Sequence, residues 1–313
     1  MKAAAATNIG GSRNKENQDA FFIKGHTVGV FDGHGTGGKV AAEKARDVFV
    51  AAVAAVAAVE VADVFAVADA AVSAAVSNHS GTTATLLQVA ADGACTVSHV
   101  GDSEAFVFDS DEGTGALLGA DHSPCSLEEW TRVRARHPRT VFRFAPPSGG
   151  LGVPVFVPVA DGTFIQNPTG GYSFCNVRRD WAAYVCNDSG DKLGVTRALG
   201  DGNMKPSGVI CSPSIVTKEA PAPGTVRAVV IASDGLWDAM LPEEVRAIVR
   251  KPEFLATQDA DAAIAALMAA ALAKGAELFG TDYDNVTAVV VYVTASSTES
   301  ETPTPTPTPT EPM

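Results

Sequence analysis

The chain has 313 residues, 46% of them apolar and 19% charged, with a formal net charge of -13 and a sequence pI of about 4.8. Such a composition suits a soluble globular protein with a large core in one big domain or two smaller ones, and its acidity argues against nucleic acid as a partner. Five cysteines, Cys95, Cys125, Cys175, Cys186 and Cys211, form no CxxC pair and are odd in number, so reduced thiols in the cytoplasm or nucleus are expected, not a zinc site or a disulfide frame.

The opening MKAAAATNIGG offers only four alanines before polar residues, too short an apolar run for a signal-peptide core. Residues 27–32 read as a strand, and a long helical zone follows over roughly 37–78, with Ala and Val at helical spacing. Its AAVAAVAAV portion reads as a buried helix of small residues. The longest charge-free run there, Val48–Val59, is twelve residues. A bilayer needs about 20, so no membrane association is expected. Residues 83–90, 94–100 and 104–109 read as further strands.

Residues 123–192 are rich in Pro, Gly, Asn and aromatics without long periodic runs, as in a surface subdomain set beside a core. Strands are then expected at 225–233 and 286–294, with two helices between them: PEEVRAIV from Pro242, and DADAAIAALMAAALAKGAELF from Asp259. The end, 295–313, is a Thr-Pro tail with nothing to bury, expected to be disordered or extended. Strands in hairpin-like pairs, with helices grouped together, point to an α+β fold over a doubly wound sheet.

One stretch, VGVFDGHGTGGKVA at 28–41, poses the functional question: strand, glycine loop, helix. GHGTGG satisfies the dinucleotide pattern G-x-G-x-x-G, but the acidic residue expected about 20 positions later falls at Glu60, inside the helical zone. GHGTGGKV is a P-loop except at its last position, where Val40 cannot ligate magnesium, and Asp32 would set a negative charge beside the phosphates.

A third reading counts carboxylates at strand ends. VGVF runs into Asp32, TVSHV into Gly101-Asp102, RAVVIAS into Asp234, and Asp282 and Asp284 immediately precede NVTAVVVYV. Turn chemistry explains any one of these. Four at the ends of strands sharing a sandwich would gather in one cleft, where like charges need a counter-charge. All-oxygen donors select Mg²⁺ or Mn²⁺.

The motifs RNKENQDAF, VFDGHG, SGTTATLLQV, HVGDSEAFVF, GADHSP, LGVTRALGD, IASDGLWD and DYDNVTAVVVYV, in this order from about Gly10 to Val293, resemble those of the metal-dependent type 2C protein phosphatases, the PPM family. The resemblance implies a four-layer αββα sandwich: two antiparallel β-sheets flanked by helix pairs, with metals at one edge. It implies a catalytic domain over 1–294, in which 123–192 is a flap-like insertion. The implied activity is hydrolysis of phosphoserine and phosphothreonine in phosphoprotein substrates, by water bridging two ions. A pseudophosphatase that binds phosphoproteins without turnover is the alternative, and its mark would be a missing metal aspartate. A monomer is expected.

By position, the resemblance makes Asp32 the bridge between two metal ions, with the Gly33 carbonyl on one and Asp234 and Asp284 completing the other. Asp102, with Asp234, would hold a third, weaker ion. His34 corresponds to the general acid and Arg13 to the phosphate-binding arginine, while Thr196, Arg197 and Asp201 of TRALGD are assigned to shaping the core. The sequence departs from the family at Gln18, which stands where a metal-ligating glutamate is usual, after one extra residue. Either Gln18 ligates through its amide oxygen and the second ion is held more weakly, or Glu16 or Asp19 contributes through water; Asp19 is the stronger candidate for such an indirect role.

Overall fold

In the computed structural model, which describes residues 1–12, 15–55, 60–109, 115–146, 152–168 and 173–295, two five-stranded antiparallel sheets carry the fold. Their strands, in chain order, are β1 (Lys2–Asn8), β2 (Ala20–Lys24), β3 (Thr27–Phe31), β4 (Ala84–Val89), β5 (Cys95–Val100), β6 (Glu104–Phe108), β7 (Ala116–Leu117), β8 (Ser214–Lys218), β9 (Val226–Ala232) and β10 (Val286–Thr294). One sheet runs β1-β10-β9-β6-β7 and the other β8-β5-β4-β3-β2. Six of these strands lie within about a residue of their sequence-based bounds, because runs such as AVVVYV leave a β-branched backbone little alternative.

Side chains alternate between the faces of each strand, and the core follows that alternation. Val229 and Ile231 of β9 and Val289 and Val291 of β10 meet Val28, Val30, Leu87 and Val97 of the other sheet in a shared apolar layer. The opposite face, with Val230, Val290 and Tyr292, packs on Ile264 and Leu267 of a long helix, α7 (Ala260–Phe279). Three shorter helices precede it: α4 (Asp234–Ala239), α5 (Pro242–Val249) and α6 (Pro252–Thr257). The outer face of the other sheet, with Phe22, Phe31 and Leu86, packs on Phe49 and Phe65 from helices α1 (Gly38–Ala54) and α2 (Val61–Ala75). Mixed α+β layering is therefore the architecture.

Two elements differ from expectation. The helical zone over 37–78 is two helices, and α1 stops at Ala54 with Ala51, Ala54 and Ala55 exposed, so AAVAAVAAV is not one buried helix; residues 56–59 lie outside the described residues. Alanine keeps helix propensity high, but only bulkier residues such as Phe49 and Phe65 draw a face into the core. The alanines near the N-terminus form β1, a strand that propensity does not favour. Its register against β10, from Lys2↔Tyr292 to Asn8↔Val286, imposes the extended conformation.

Among the described residues one stretch, Ala260–Asp282, has the length and apolarity of a membrane span. Here Ala263, Ile264, Leu267 and Ala271 of that stretch are buried against the sheet, as core residues. The 123–192 region builds α3 (Leu127–Arg136), which its lack of periodicity concealed, and a small three-stranded sheet of Val141–Phe144, Ala183–Cys186 and Lys192–Leu193. Phe142, Phe144, Phe156 and Val185 belong to an apolar cluster separate from the sheet cores. The Thr-Pro tail beyond Ala295 falls outside the described residues.

Candidate active site

The loop after β3 is built to hold Asp32 in place. Its backbone N–H donates to Thr83 Oγ1 at 3.0 Å, and its carbonyl accepts from the Thr83 N–H and the Thr82 hydroxyl, both at 2.9 Å. Thr83 Oγ1 also meets Ser103 Oγ at 2.7 Å, and Thr85 donates to the Ser103 carbonyl at 2.6 Å. The SGTTAT and GDS motifs thus clamp the loops of Asp32 and Asp102 together. Glycine is required where the loop meets α1: a Cβ on Gly33 would lie 2.1 Å from the Gly38 carbonyl oxygen. The glycines let a helix start close beside an aspartate.

Asp234 opens α4 directly after β9, and Asp284 stands two residues before β10, its Oδ1 accepting from the Asn285 N–H at 2.7 Å. Asn285 Oδ1 accepts from the Gln18 N–H at 2.7 Å, which ties the N-terminal segment to this edge. Asp32, Gly33, Asp102, Asp234 and Asp284 line one cleft of about 460 Å³, with Gln18 and His34 at its side. Asp19 lies behind that lining, its Oδ2 accepting from Ser233 Oγ at 2.9 Å. Arg13 lies outside the described residues.

The electrostatics show what these carboxylates require. Burial, then repulsion from Asp234, Asp19, Asp284 and Asp102, holds Asp32 well above the ordinary carboxylate range. Burial and repulsion from Asp238, Asp102 and Asp284 do the same to Asp234. Asp102 is raised, and burial lifts Asp19 to about 6 and the neighbouring Asp238 to about 8. Groups this crowded must take up protons or bind a cation.

Among the described residues no group of three His, Cys, Asp or Glu side chains is gathered tightly enough to form a ready-made metal site. The donor set nevertheless fits a hard divalent cation. Asp234 Oδ1 and Asp19 Oδ1 are buried without a hydrogen-bond partner, and every candidate ligand offers oxygen.

His34 sits on a two-residue bridge, Gly33–His34, paired with Gly81–Thr82, which in turn pairs with Leu199–Gly200. Its Nε2 lies 2.8 Å from Asp201 Oδ2. Burial pulls its pKa down, but the hydrogen bond and charge of Asp201, with Asp102 beyond, leave it above the ordinary histidine value. Asp201 itself is 3% exposed with φ at +51°. The sequence assigned Asp201 to the core, yet it meets the candidate acid across 167 residues of chain.

Comparison with known proteins places the chain in a family. A family model described as Protein phosphatase 2C matches residues 23–144 and 175–278, well over half of the chain. The chain belongs to the protein phosphatase 2C family. That family is one of protein serine/threonine phosphatases, and the matched segments leave out 145–174, the middle of the insertion. Probable protein phosphatase 2C 11 of Arabidopsis thaliana is 35% identical over 102 residues, 33% of this chain but only 24% of that protein's length. The serine-threonine phosphatase 2C of Toxoplasma gondii superposes with a TM-score of 0.65 at 20% identity, over 93% of this chain and 94% of that one. The catalytic domain of the phosphatase PstP, solved in complex with two manganese ions, superposes with a TM-score of 0.53 at 18% identity, over 94% of this chain and 98% of that one.

The family's TRALGD motif does two separate jobs in this chain. Asp201 reaches His34, while Thr196 and Arg197 bind Glu129 of α3: Thr196 Oγ1 at 2.7 Å, and Arg197 Nη2 at 2.6 Å. A second cleft of about 700 Å³ runs from Asp102 and Asp234 along the insertion, past Arg178, Asp180 and Trp181.

Proposed function

We propose that this chain is a metal-dependent protein serine/threonine phosphatase acting on phosphoserine and phosphothreonine in proteins. The observation that carries this reading is the set of aspartates, Asp32, Asp102, Asp234 and Asp284, lining one cleft beside His34, with the buried Asp234 Oδ1 lacking a partner. Asp32, the Gly33 carbonyl, Asp234 and Asp284 would hold the two catalytic ions, and Asp102 with Asp234 would hold a third, weaker one. Bound Mg²⁺ or Mn²⁺ supplies positive charge for the phosphoryl oxygens and acidifies a water at neutral pH. Asp19, held by Ser233, steadies the ligands from behind, and Gln18 stands at the cleft rim in place of an anionic ligand. Arg13, outside the described residues, is the candidate for binding the phosphate, since a guanidinium fork suits phosphate oxygens.

His34 gives a proton to the departing serine or threonine oxygen, which is too basic to leave well as an alkoxide. The second cleft, continuous with the catalytic edge, gives the polypeptide flanking the phosphoresidue a path along the insertion. The test is phosphate release from a phosphothreonine peptide, with Mn²⁺ and Mg²⁺ titrated from a chelated start. Release that depends on metal is the expected result. Bound metal without release would assign the chain to phosphoprotein binding without turnover.

A further inference from the structure

Resting on the reading of His34 as the general acid, we infer that Asp201 is a positioning residue for that acid, holding Nε2 so that Nδ1 is the nitrogen that exchanges a proton with substrate. Four observations converge. Asp201 Oδ2 stands 2.8 Å from His34 Nε2, so one of the two ring nitrogens is already engaged. Both residues line the catalytic cleft, His34 with its side chain 31% exposed and Asp201 with only 3%, so the histidine is the member of the pair that solvent and substrate can reach. The backbone that carries the carboxylate is held in place: the Asp201 N–H donates to the Ser80 carbonyl at 3.0 Å, its own carbonyl accepts from the Met204 N–H at 2.8 Å, and its φ is +51°, a strained conformation outside glycine. Finally, Gly81 leaves the space the carboxylate uses, since a Cβ there would lie 2.2 Å from Asp201 Oδ2.

The step this arrangement serves is simple in its accounting of atoms. As a water oxygen bonds to phosphorus and the phosphorus–oxygen bond to the side chain breaks, the Nδ1–H bond breaks too and its proton goes to the serine or threonine oxygen. The ring passes from imidazolium to the neutral Nε2–H tautomer, and Asp201 accepts from Nε2–H in both states. Solvent then restores the proton on Nδ1. An imidazole free to rotate would present either nitrogen; the fixed carboxylate selects one orientation and one tautomer.

The test compares His34→Ala, Asp201→Asn and the double variant on a phosphothreonine peptide and on p-nitrophenyl phosphate, whose leaving group scarcely needs a proton. Asp201→Asn should lower kcat on the peptide by about 10- to 100-fold, and by at least about 10-fold more than on the aryl ester. In the double variant the two losses should not add, because a positioning residue has nothing to position once the histidine is gone. Equal losses on both substrates, or additive losses, would overturn the role of Asp201. If His34→Ala itself shows no dependence on leaving group, the acid assignment fails instead. A readout on the unsubstituted protein needs no folded variant: long-range proton–nitrogen spectra should show neutral His34 as the Nε2–H tautomer, and an Nδ1–H tautomer would overturn the inference.

Discussion

Arg197 and Glu129 are joined by a charge-assisted hydrogen bond of 2.6 Å that fastens the insertion to the catalytic body. Glu129 is 1% exposed and also accepts from Arg132 and Thr196, so every lone pair faces a donor. Although burial alone would raise its pKa, hydrogen bonds from Arg197, Arg132 and Thr196 hold it near 2. Replacing Glu129 by Gln leaves two guanidinium groups with no countercharge and should cost about 3–5 kcal/mol in chemical denaturation. A loss below about 1 kcal/mol would show that the cluster is dispensable.

The same region sets the response to acid. His99 and His122 stack with ring centroids 4.3 Å apart, both buried. Burial, then Arg197, lowers His99 to about 4, and burial, then His99 and Arg197, lowers His122 to about 2. The unfolded rings take up protons near pH 6.5 while the folded ones do not, so stability should fall as pH drops below about 6.5. The Glu129 carboxylate contributes a further loss from about pH 4.5 down toward 2, since its folded pKa is depressed. Because the raised aspartates of the cleft act with the opposite sign, the pair's share is read as the thermal midpoint of the unsubstituted protein minus that of a His99→Phe/His122→Phe double variant; this difference should fall between pH 6.5 and 4, and a constant difference would contradict the neutral pair.

At the aspartate cluster the sign of the substitution effect should depend on metal. Asp234 is buried, repelled by Asp238, Asp102 and Asp284, and has one oxygen without a partner. Asp234→Asn should therefore raise the thermal midpoint of chelated protein by a few degrees, about 2–4 °C for each kcal/mol relieved. It should also abolish phosphatase activity and the stabilisation that Mn²⁺ gives the unsubstituted protein. A variant that is destabilised under chelation, or that keeps its response to Mn²⁺, would remove Asp234 from the ligand set.

Leu87 is fully buried in the layer shared by the two sheets. Leu87→Ala should cost about 2–5 kcal/mol, read as a lower denaturant midpoint at unchanged slope. A cost under 1 kcal/mol would mean that the two sheets do not share one tight core.

The aspartates were legible because each flanks a run too apolar to be anything but strand, and a carboxylate there lies where the strand ends or begins. Asp201 was not. TRALGD reads as a turn, and its meeting with His34 depends on Gly33–His34, Gly81–Thr82 and Leu199–Gly200 lying side by side, a pairing without local signal. Glu129 was hidden in another way: within LEEWTRVRAR it looks like a solvated helix charge, and only an arginine 68 residues away explains its burial. The β1 strand shows the same limit for backbone, since alanines adopt whatever conformation the neighbouring β10 enforces. Local pattern revealed which residues carry charge and which need a core; contacts across long sequence separation decided the remainder.

The position of β10 in its sheet has a consequence for biosynthesis. This strand lies between β1 and β9, yet follows both in the chain. While the ribosome is still adding the residues after α7, β1 has no partner on that side, the apolar layer between the sheets lacks Val289 and Val291, and Asp284 has yet to appear. A nascent or prematurely terminated chain therefore holds an exposed sheet edge and a cleft that lacks one of its aspartates. On the proposed reading of Asp284, the cleft is completed in the same late event that closes the fold.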